Sequence, residues 1–248
     1  MTTPRLYSDL IDLWPLVSPP EGYVEEVGTF VSRFRRGGVP EGGRVLHMGS
    51  GAGSIDYHLK RSYRVTGIDL REAMVAHARR LNPEVDYRVG DIRTHRVGDG
   101  FDAVLVHDAI SYMTTREELA AVYATAAAHL APGGVLITLP EELRARVVAD
   151  RNRVETHVDG DRTVTIVELH HDPDPADNTC EMLLLFVIRQ NGDVSVELDR
   201  HVCGAFDIED FVAAVEGAGF DAVVEPWELS DWQPDEVRLP LITAVRRG

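Results

Sequence analysis

Residues 44–69, RVLHMGSGAGSIDYHLKRSYRVTGID, constrain this chain more than any other stretch. Arg44–Met48 is a short apolar run suited to a buried strand. Gly49, Ser50, Gly51, Ala52 and Gly53 then give G-x-G-x-G, residues 54–61 read as a short helix, and residues 64–68 read as a second strand closed by Asp69. Glycines let the backbone turn tightly and let a ligand approach where a Cβ would stand. An acid about twenty positions after the first glycine can accept hydrogen bonds from the two hydroxyls of a ribose. The unit therefore predicts a nucleoside-containing cofactor at the carboxyl edge of a parallel sheet, with Gly49, Ser50, Gly51, Gly53, Asp69 and Leu70 around it.

The spacing argues about which cofactor. The dinucleotide fingerprint is G-x-G-x-x-G and seats a pyrophosphate on a helix N-terminus. Here the third glycine comes one position early, and Ser54 stands in the expected slot. No Tyr-x-x-x-Lys pair supports a nicotinamide reductase, because Asp56 lies four positions before Lys60.

The chain continues as alternating helices and strands. A helix is expected over 71–81, a third strand over 85–89, a fourth over Phe101–Val106, a helix from Thr114 or Thr115 to about Leu130, and a fifth strand over 135–139 entered through a turn at Pro132-Gly133-Gly134. Asp91 is placed to accept from an adenine amino group, with Ile92 against the ring. Ligands of open α/β sheets bind beyond the carboxyl ends of strands, so His107, Asp108 and Tyr112, which follow the fourth strand, are candidates for contact with substrate or cofactor.

Five segments in order, VLHMGSGAG, GID, GDI, FDAVLVHDAISYM and LAPGGVLI, resemble the class I S-adenosylmethionine-dependent methyltransferases over most of residues 44–140. The resemblance implies a Rossmann-like seven-stranded sheet with helices on both faces, five parallel strands and an antiparallel last strand toward the far edge. It implies S-adenosylmethionine as cofactor, S-adenosylhomocysteine as product, and methyl transfer to a nitrogen or oxygen of a small molecule. The family usually has Asp or Glu where His47 stands, near the cofactor's amino group. A neutral histidine could accept one hydrogen bond there and a cationic one could not, so an Asp at position 47 is expected to serve as well or better.

Residues 141–206 interrupt the family pattern. A helix is expected over 141–149, then strands over 163–171, 180–189 and 193–203, so the insertion reads as an antiparallel β-meander. Asn191-Gly192 suits a type I′ hairpin turn. Pairing across that turn puts Leu183, Leu185, Val187, Val194, Val196, Leu198 and Val202 on one face, which reads as core. Met182, Leu184, Phe186 and Ile188 share the other with His201, Asp199, Glu197 and Ser195. That mixed face suits a substrate wall, a dimer contact or a half-solvated surface. The same register sets Cys180 opposite Cys203 in a hydrogen-bonded pair, expected as two free thiols. More loosely, this order of elements resembles the N-methyltransferases of aminodeoxysugars.

The resulting division is an N-terminal helical lid over residues 1–40, a cofactor domain over 41–140 and 207–248, and a substrate or dimer subdomain over 141–206. The lid is expected as two amphipathic helices whose aromatic residues pack on the sheet, or whose Tyr7 or Trp14 closes the site over cofactor and acceptor. The C-terminal part reads as a helix over 208–218 and strands over 220–227 and 238–246. Candidate bases are His107, His170 and His201, with Glu168 on the His170 side of its strand. The net charge of −16 argues against a nucleic acid partner, since that affinity rests on Lys and Arg. No metal-ligand spacing, leader or membrane-spanning run is read in the sequence, so a cytoplasmic enzyme with a small-molecule acceptor is expected, with a homodimer through the β insertion as one arrangement. The rival readings are a protein that binds S-adenosylmethionine for another reaction, such as a cyclisation, and a non-catalytic binding module.

Overall fold

A computed structural model describes residues 4–147, 152–227 and 239–248. The N-terminal segment is less regular than its leucine spacing predicts. It forms 3₁₀ turns at Arg5–Tyr7, Ile11–Leu13 and Pro20–Tyr23 around one short α-helix, α1 (Trp14–Val17), and only then a full helix, α2 (Val24–Arg36). Pro15, Pro19 and Pro20 lack the N–H that a continuing helix would need. The leucines still turn inward, with Leu6 and Leu13 buried.

Strands β1 (Arg44–Met48), β2 (Arg64–Asp69), β3 (Asp86–Val89), β4 (Phe101–Val106) and β5 (Leu130–Thr138) alternate with α3 (Asp56–Leu59), α4 (Glu72–Leu81) and α5 (Arg116–His129). After the insertion come α7 (Ile208–Gly217), β10 (Phe220–Trp227) and β11 (Leu239–Arg246). The strands form one seven-stranded sheet in the order β10-β11-β5-β4-β1-β2-β3. β1 to β5 pair in parallel, and β11 runs antiparallel between β5 and β10, one strand in from the edge. Pro132-Gly133-Gly134 lies inside β5, where its register against β4 shifts, and is not a turn before it.

Each sheet face carries its own core. Val27, Phe30 and Phe34 of α2 pack with Val45, Leu105 and Ile137 on one side, while α5 and α7 supply Leu119, Tyr123, Phe211 and Val215 to the other. The switch of strand order beside β1 leaves a crevice at the carboxyl edge, where such sheets take ligands.

The insertion opens with α6 (Arg144–Val147); residues 148 and 149 of the expected longer helix lie outside the described residues. β6 (Asn152–Asp159), β7 (Arg162–His171), β8 (Thr179–Gln190) and β9 (Asp193–Gly204) then form a four-stranded antiparallel sheet. β6 is not anticipated by the sequence reading, because its run NRVETHVD carries few apolar residues. The hairpin register is as expected, Cys180 opposite Cys203 and Gln190 opposite Asp193. Asn191 and Gly192 both have positive φ, as a type I′ turn requires.

Which face is buried is the reverse of the expectation. Val194, Val196 and Leu198 of the apolar face are 62, 58 and 51% exposed, while Phe186, Asp199 and His201 of the mixed face are at most 2% exposed. The mixed face wins because the N-terminal segment lies on it. Leu6 and Leu13 pack against Leu184 and Phe186, the Leu6 N–H donates to Asp199 Oδ2 at 2.7 Å, and Arg5 pairs with Glu197 at 2.9 Å. A buried polar group is tolerated when its hydrogen bonds are made. Among the described residues no helix is long and apolar enough to cross a membrane.

Candidate functional site

Two cavities meet at the carboxyl edge of the large sheet. The first, of about 290 Å³, follows the glycine loop and is lined by Gly49, Ser50, Gly51, Asp69, Leu70, Asp91 and Ile92, with His47, His107, Asp108 and Tyr112 toward β4. The second, of about 310 Å³, runs under the N-terminal segment to the inner face of the small sheet. Tyr7, Trp14, Tyr23, His107 and Asp108 line both and so mark the junction.

The glycine loop is shaped as a cradle. Gly49 has φ +84°, and a Cβ on it would stand 2.2 Å from the Ala109 Cβ. Asp69 holds the loop from below, accepting from Gly51 N at 2.9 Å and from Arg71 N at 2.8 Å. Burial pushes its carboxyl above the usual range, and these two N–H bonds counter that only in part. Asp91 accepts from the Arg93 guanidinium at both oxygens, the shorter contact being 2.6 Å. A carboxylate has about four lone-pair sites, so Asp91 keeps room for an adenine amino group. Arg93 also reaches Glu118, which with Met74 completes this wall. Gly53 is not a lining residue; it faces Asn82 and Tyr87 behind the loop.

His47 is 1% exposed, and its Nδ1 lies 2.7 Å from Asp56 Oδ1. Its Nε2 and the Ser50 hydroxyl are buried polar atoms with no partner among the described residues. Both belong to residues that line the first cavity. Orphaned polar atoms are rare in folded proteins, and here they await hydrogen bonds from whatever fills the cleft. A nucleoside carrying an amino-acid tail fits this donor and acceptor set: ribose at Asp69, base beside Asp91 and Ile92, tail along the loop toward His47.

At the junction, His107 Nε2 lies 2.6 Å from Glu26 and its Nδ1 3.1 Å from Asp108. Burial alone would lower its pKa, but the two carboxylates outweigh it and hold the ring well above the ordinary range. His107 is therefore an imidazolium at neutral pH and has no lone pair to offer. His107, Asp108 and Glu141 bring ligand atoms within 4.8 Å of one another. Burial and the neighbouring Asp108 push Glu141 well up, while His107 outweighs the desolvation of Asp108, whose side chain is half exposed, and holds it below the carboxylate range. The pair thus shares one proton, with Asp108 as the anion. Asp108 also has φ +28°, a conformation that costs an L-residue of the order of 1–3 kcal/mol and is commonest at functional sites.

The other two histidines stand behind the cavities. His170 is clamped between Glu168 at 2.6 Å and Glu142 at 3.2 Å, and these partners outweigh its burial and raise its pKa to about 9. Glu168 itself lines the second cavity. His201 lies 3.0 Å from Asp199 through Nε2 and 2.6 Å from the Tyr112 hydroxyl through Nδ1. The Tyr112 and Tyr7 hydroxyls are 2.7 Å apart. A carboxylate only accepts, so Nε2 carries the hydrogen toward Asp199; in the neutral ring Nδ1 then accepts from Tyr112, which accepts from Tyr7. The chain of bonds leaves lone pairs on the Tyr7 oxygen, in the residue that lines both cavities. Burial raises the pKa of both phenols, keeping them protonated.

Sequence reasoning missed Glu26, Tyr23, Glu141 and Asp56. Glu26, Tyr23 and Asp56 lie outside the strand-end motifs, and Glu141, just past the end of β5, reads as the start of a helix; only the fold brings them together.

Comparison with known proteins agrees with this geometry. Residues 45–134 match the model of a methyltransferase domain. A dTDP-3-amino-3,4,6-trideoxy-alpha-D-glucopyranose N,N-dimethyltransferase of Streptomyces venezuelae is 33% identical over 54% of this chain, a stretch that spans only 56% of that relative. A dTDP-4-amino-2,3,4,6-tetradeoxy-D-glucose N,N-dimethyltransferase of Saccharopolyspora spinosa is 27% identical over 90% of each chain. The amino pentose methyltransferase CalS10 of Micromonospora echinaspora, solved with S-adenosylmethionine bound, superposes with a TM-score of 0.79 at 26% identity over 90% of this chain and 91% of its own. With the glycine cradle, Asp69 at the end of β2 and the strand order in place, residues 45–134 form a methyltransferase domain, and the chain as a whole is similar to the class I S-adenosylmethionine-dependent methyltransferases.

Proposed function

We propose that this protein transfers methyl groups from S-adenosylmethionine to an amino group of a small, sugar-like molecule in natural-product biosynthesis. The observation that carries the reading is the second cavity, which meets the cofactor cleft at Tyr7, Trp14, Tyr23, His107 and Asp108. Its walls present the carboxylates of Glu26, Asp108, Glu155 and Glu168, with Glu141 holding the shared proton, against two cations, Arg153 and His107. Such walls attract an ammonium and repel an anion. The two dTDP-aminosugar dimethyltransferases among the relatives, and the net charge of −16, support an amine acceptor over a nucleic acid.

The protonation pattern favours nitrogen over oxygen. A hydroxyl acceptor needs a base, whereas a neutral amine needs only its lone pair. His107, the one histidine at the junction, is committed as a cation between two carboxylates. The cofactor, when bound, supplies an electrophilic methyl on a sulfonium. Asp69 and the loop amides hold its nucleoside end. Asp108 draws in the acceptor amine, and the Tyr7 oxygen takes one N–H and turns the lone pair toward the cleft. Asp199 and His201 position the two tyrosines. The N-terminal segment acts as the lid that keeps water out, and alignment of this kind can supply roughly 7–11 kcal/mol in favourable systems.

The exposed apolar face of the small sheet, with Val154, Val158, Val194, Val196 and Leu198 all above half exposed, supports a homodimer in which two such faces meet. Two free cysteines support a reducing, cytoplasmic setting. The function is tested by incubating purified protein and S-adenosylmethionine with free and dTDP-linked aminosugars and following methylated products by mass spectrometry. Products carrying one and two new N-methyl groups are expected. Methylation of the hydroxyl analogues alone, or no binding of S-adenosylhomocysteine, overturns the assignment.

A further inference from the structure

We infer that Asp56 is a positioning residue for the cofactor, acting through His47 so that a histidine–aspartate pair binds the ammonium of the amino-acid tail. The inference rests on the reading of the first cavity as the S-adenosylmethionine site. Asp56 is fully buried at the start of α3 and touches no cavity. Its Oδ1 accepts from His47 Nδ1 at 2.7 Å and its Oδ2 from the Tyr87 hydroxyl at 2.9 Å. Tyr87 in turn accepts from Asn82 Nδ2 at 2.9 Å, and the same amide donates to the Gly53 carbonyl at 2.9 Å. A Cβ at Gly53 would stand 2.6 Å from Asn82 and 2.7 Å from Tyr87, so the third glycine of the motif makes room for this network.

The direction of the bonds follows from chemistry. A carboxylate has no hydrogen to give, so Nδ1 of His47 carries one, and in the neutral ring Nε2 carries the lone pair. That Nε2 is the buried atom without a partner, on a residue that lines the cleft. Among the groups of the cofactor, the ribose hydroxyls fall to Asp69 at the end of β2 and the base to Asp91 beyond β3. Both strands lie to one side of β1, which carries His47. The donor left for Nε2 is the ammonium of the tail. Asp56 does two things for that contact: it fixes the tautomer that leaves Nε2 as an acceptor, and its negative charge strengthens the imidazole as one.

The test compares S-adenosylhomocysteine with 5′-methylthioadenosine, which keeps the nucleoside and thioether and lacks the amino acid. Asp56→Asn leaves an amide that can accept from only one of its two neighbours, so the His47 tautomer is no longer fixed. Calorimetry on the full chain should find S-adenosylhomocysteine bound about 10- to 100-fold more weakly by Asp56→Asn, with 5′-methylthioadenosine unchanged. His47→Ala should show the same selective loss, and the double variant should be no worse than His47→Ala alone. Tyr87→Phe leaves both partners in place and should give a smaller loss of the same selectivity, which keeps the test sound if Asp56→Asn melts early. Equal weakening of both ligands, or an unchanged homocysteine affinity in a folded Asp56→Asn protein, overturns the relay. If the wild-type chain binds neither ligand, the cofactor reading falls and takes the relay with it.

Discussion

The two cavities share a rim but are assembled differently. About half of the wall of the first comes from residues at or just past the ends of β1, β2, β3 and β4: Gly49 to Gly51, Asp69 to Arg71, Asp91 to Arg93 and His107 to Ala109. The second draws its wall from separate pieces of chain: Leu6 to Glu26, the His107–Asp108 corner, Glu141, and the inner face of β6, β7 and β8. A strand end in a parallel sheet is a fixed address, because neighbouring strands hold it in register, on both sides for β1, β2 and β4 and on one side for the edge strand β3. The acceptor wall has no such frame, and it stays closed through hydrogen bonds that cross between elements far apart in sequence, such as Leu6 to Asp199 and Tyr7 to Tyr112. The cofactor half is therefore expected to tolerate changes in the lid, and the acceptor half to respond to them.

The largest effect should come from the frame. Asp69→Ala removes the ribose acceptor together with the two backbone bonds that hold Gly51 and Arg71. Binding of S-adenosylhomocysteine should weaken by at least about 1.5–3 kcal/mol, the worth of one hydrogen bond to a charged group. Unchanged affinity in calorimetry would remove Asp69 from the site. The raised pKa of Asp69 adds a sign: the carboxylate binds and the acid does not, so wild-type affinity should begin to fall at a higher pH than an ordinary aspartate would give.

Next in size is a change that touches only the acceptor half. Tyr7→Phe keeps the ring that packs beside Trp14 and removes the hydroxyl that ends the Asp199–His201–Tyr112 chain. A neutral hydrogen bond is worth about 0.5–1.5 kcal/mol, so kcat with an amine should drop up to about tenfold while cofactor affinity holds. Asp199→Asn should move kcat in the same direction, because it acts through the same chain. Equal losses of cofactor binding in these variants would show that the two halves are one unit.

The same contrast explains what the sequence could and could not disclose. The glycine loop, Asp69 and Asp91 were legible because each is a local pattern at a strand end, and the seven-stranded sheet because the family resemblance implied it. The burial of the small sheet was not. Alternation in β8 and β9 sorts residues correctly into two faces, as the observed register shows, but alternation does not say which face a distant segment will cover. Arg5 and Leu6 bind Glu197 and Asp199, which turns the mixed face inward and leaves the apolar face exposed. His47 gives a second case. Its residue type was visible, but Asp56 sits nine positions away on another element, and a carboxylate 2.7 Å from the ring changes what an aspartate at position 47 would do. His47→Asp would bring a second carboxylate toward a fully buried one, so it should weaken binding, contrary to the expectation from sequence.

A smaller effect separates structural from functional histidines. His170 bridges Glu168 and Glu142, and its folded pKa, about 9, lies above the ordinary value of 6.5. A raised pKa means that the clamp's stability is full below pH 6.5 and is lost as pH rises through about 9. His170→Gln should therefore lower the melting temperature by about 5 °C at pH 6 and by much less at pH 10, with N-methylation at pH 7 retained in whatever fraction is folded. A kcat that collapses in folded His170→Gln protein would bring the residue back into the chemistry.

The smallest effect concerns Cys180 and Cys203. They sit directly opposite one another on β8 and β9, both nearly fully buried, in a cluster with Val147 and Ala205 under Tyr112. Opposition alone would suggest a disulfide. The pair that flanks the two-residue turn, Gln190 and Asp193, is hydrogen-bonded, and pairs alternate along an antiparallel ladder. Ten residues on, Cys180 and Cys203 are again a hydrogen-bonded pair, with Cα atoms about 5.5 Å apart but Cβ atoms farther apart than in the alternate kind of pair. Both thiols are free in the structure. Burial, with Glu142 and Cys180 nearby, pushes the Cys203 thiol well up, so almost none of it is the reactive thiolate. Native protein should react with a thiol reagent slowly or not at all, and unfolded, unreduced protein should show two thiols per chain. Fast labelling of the native chain would mean that the acceptor half opens readily on its own. Two missing thiols after unfolding would mean a disulfide, and with it a bulged register or an oxidising compartment.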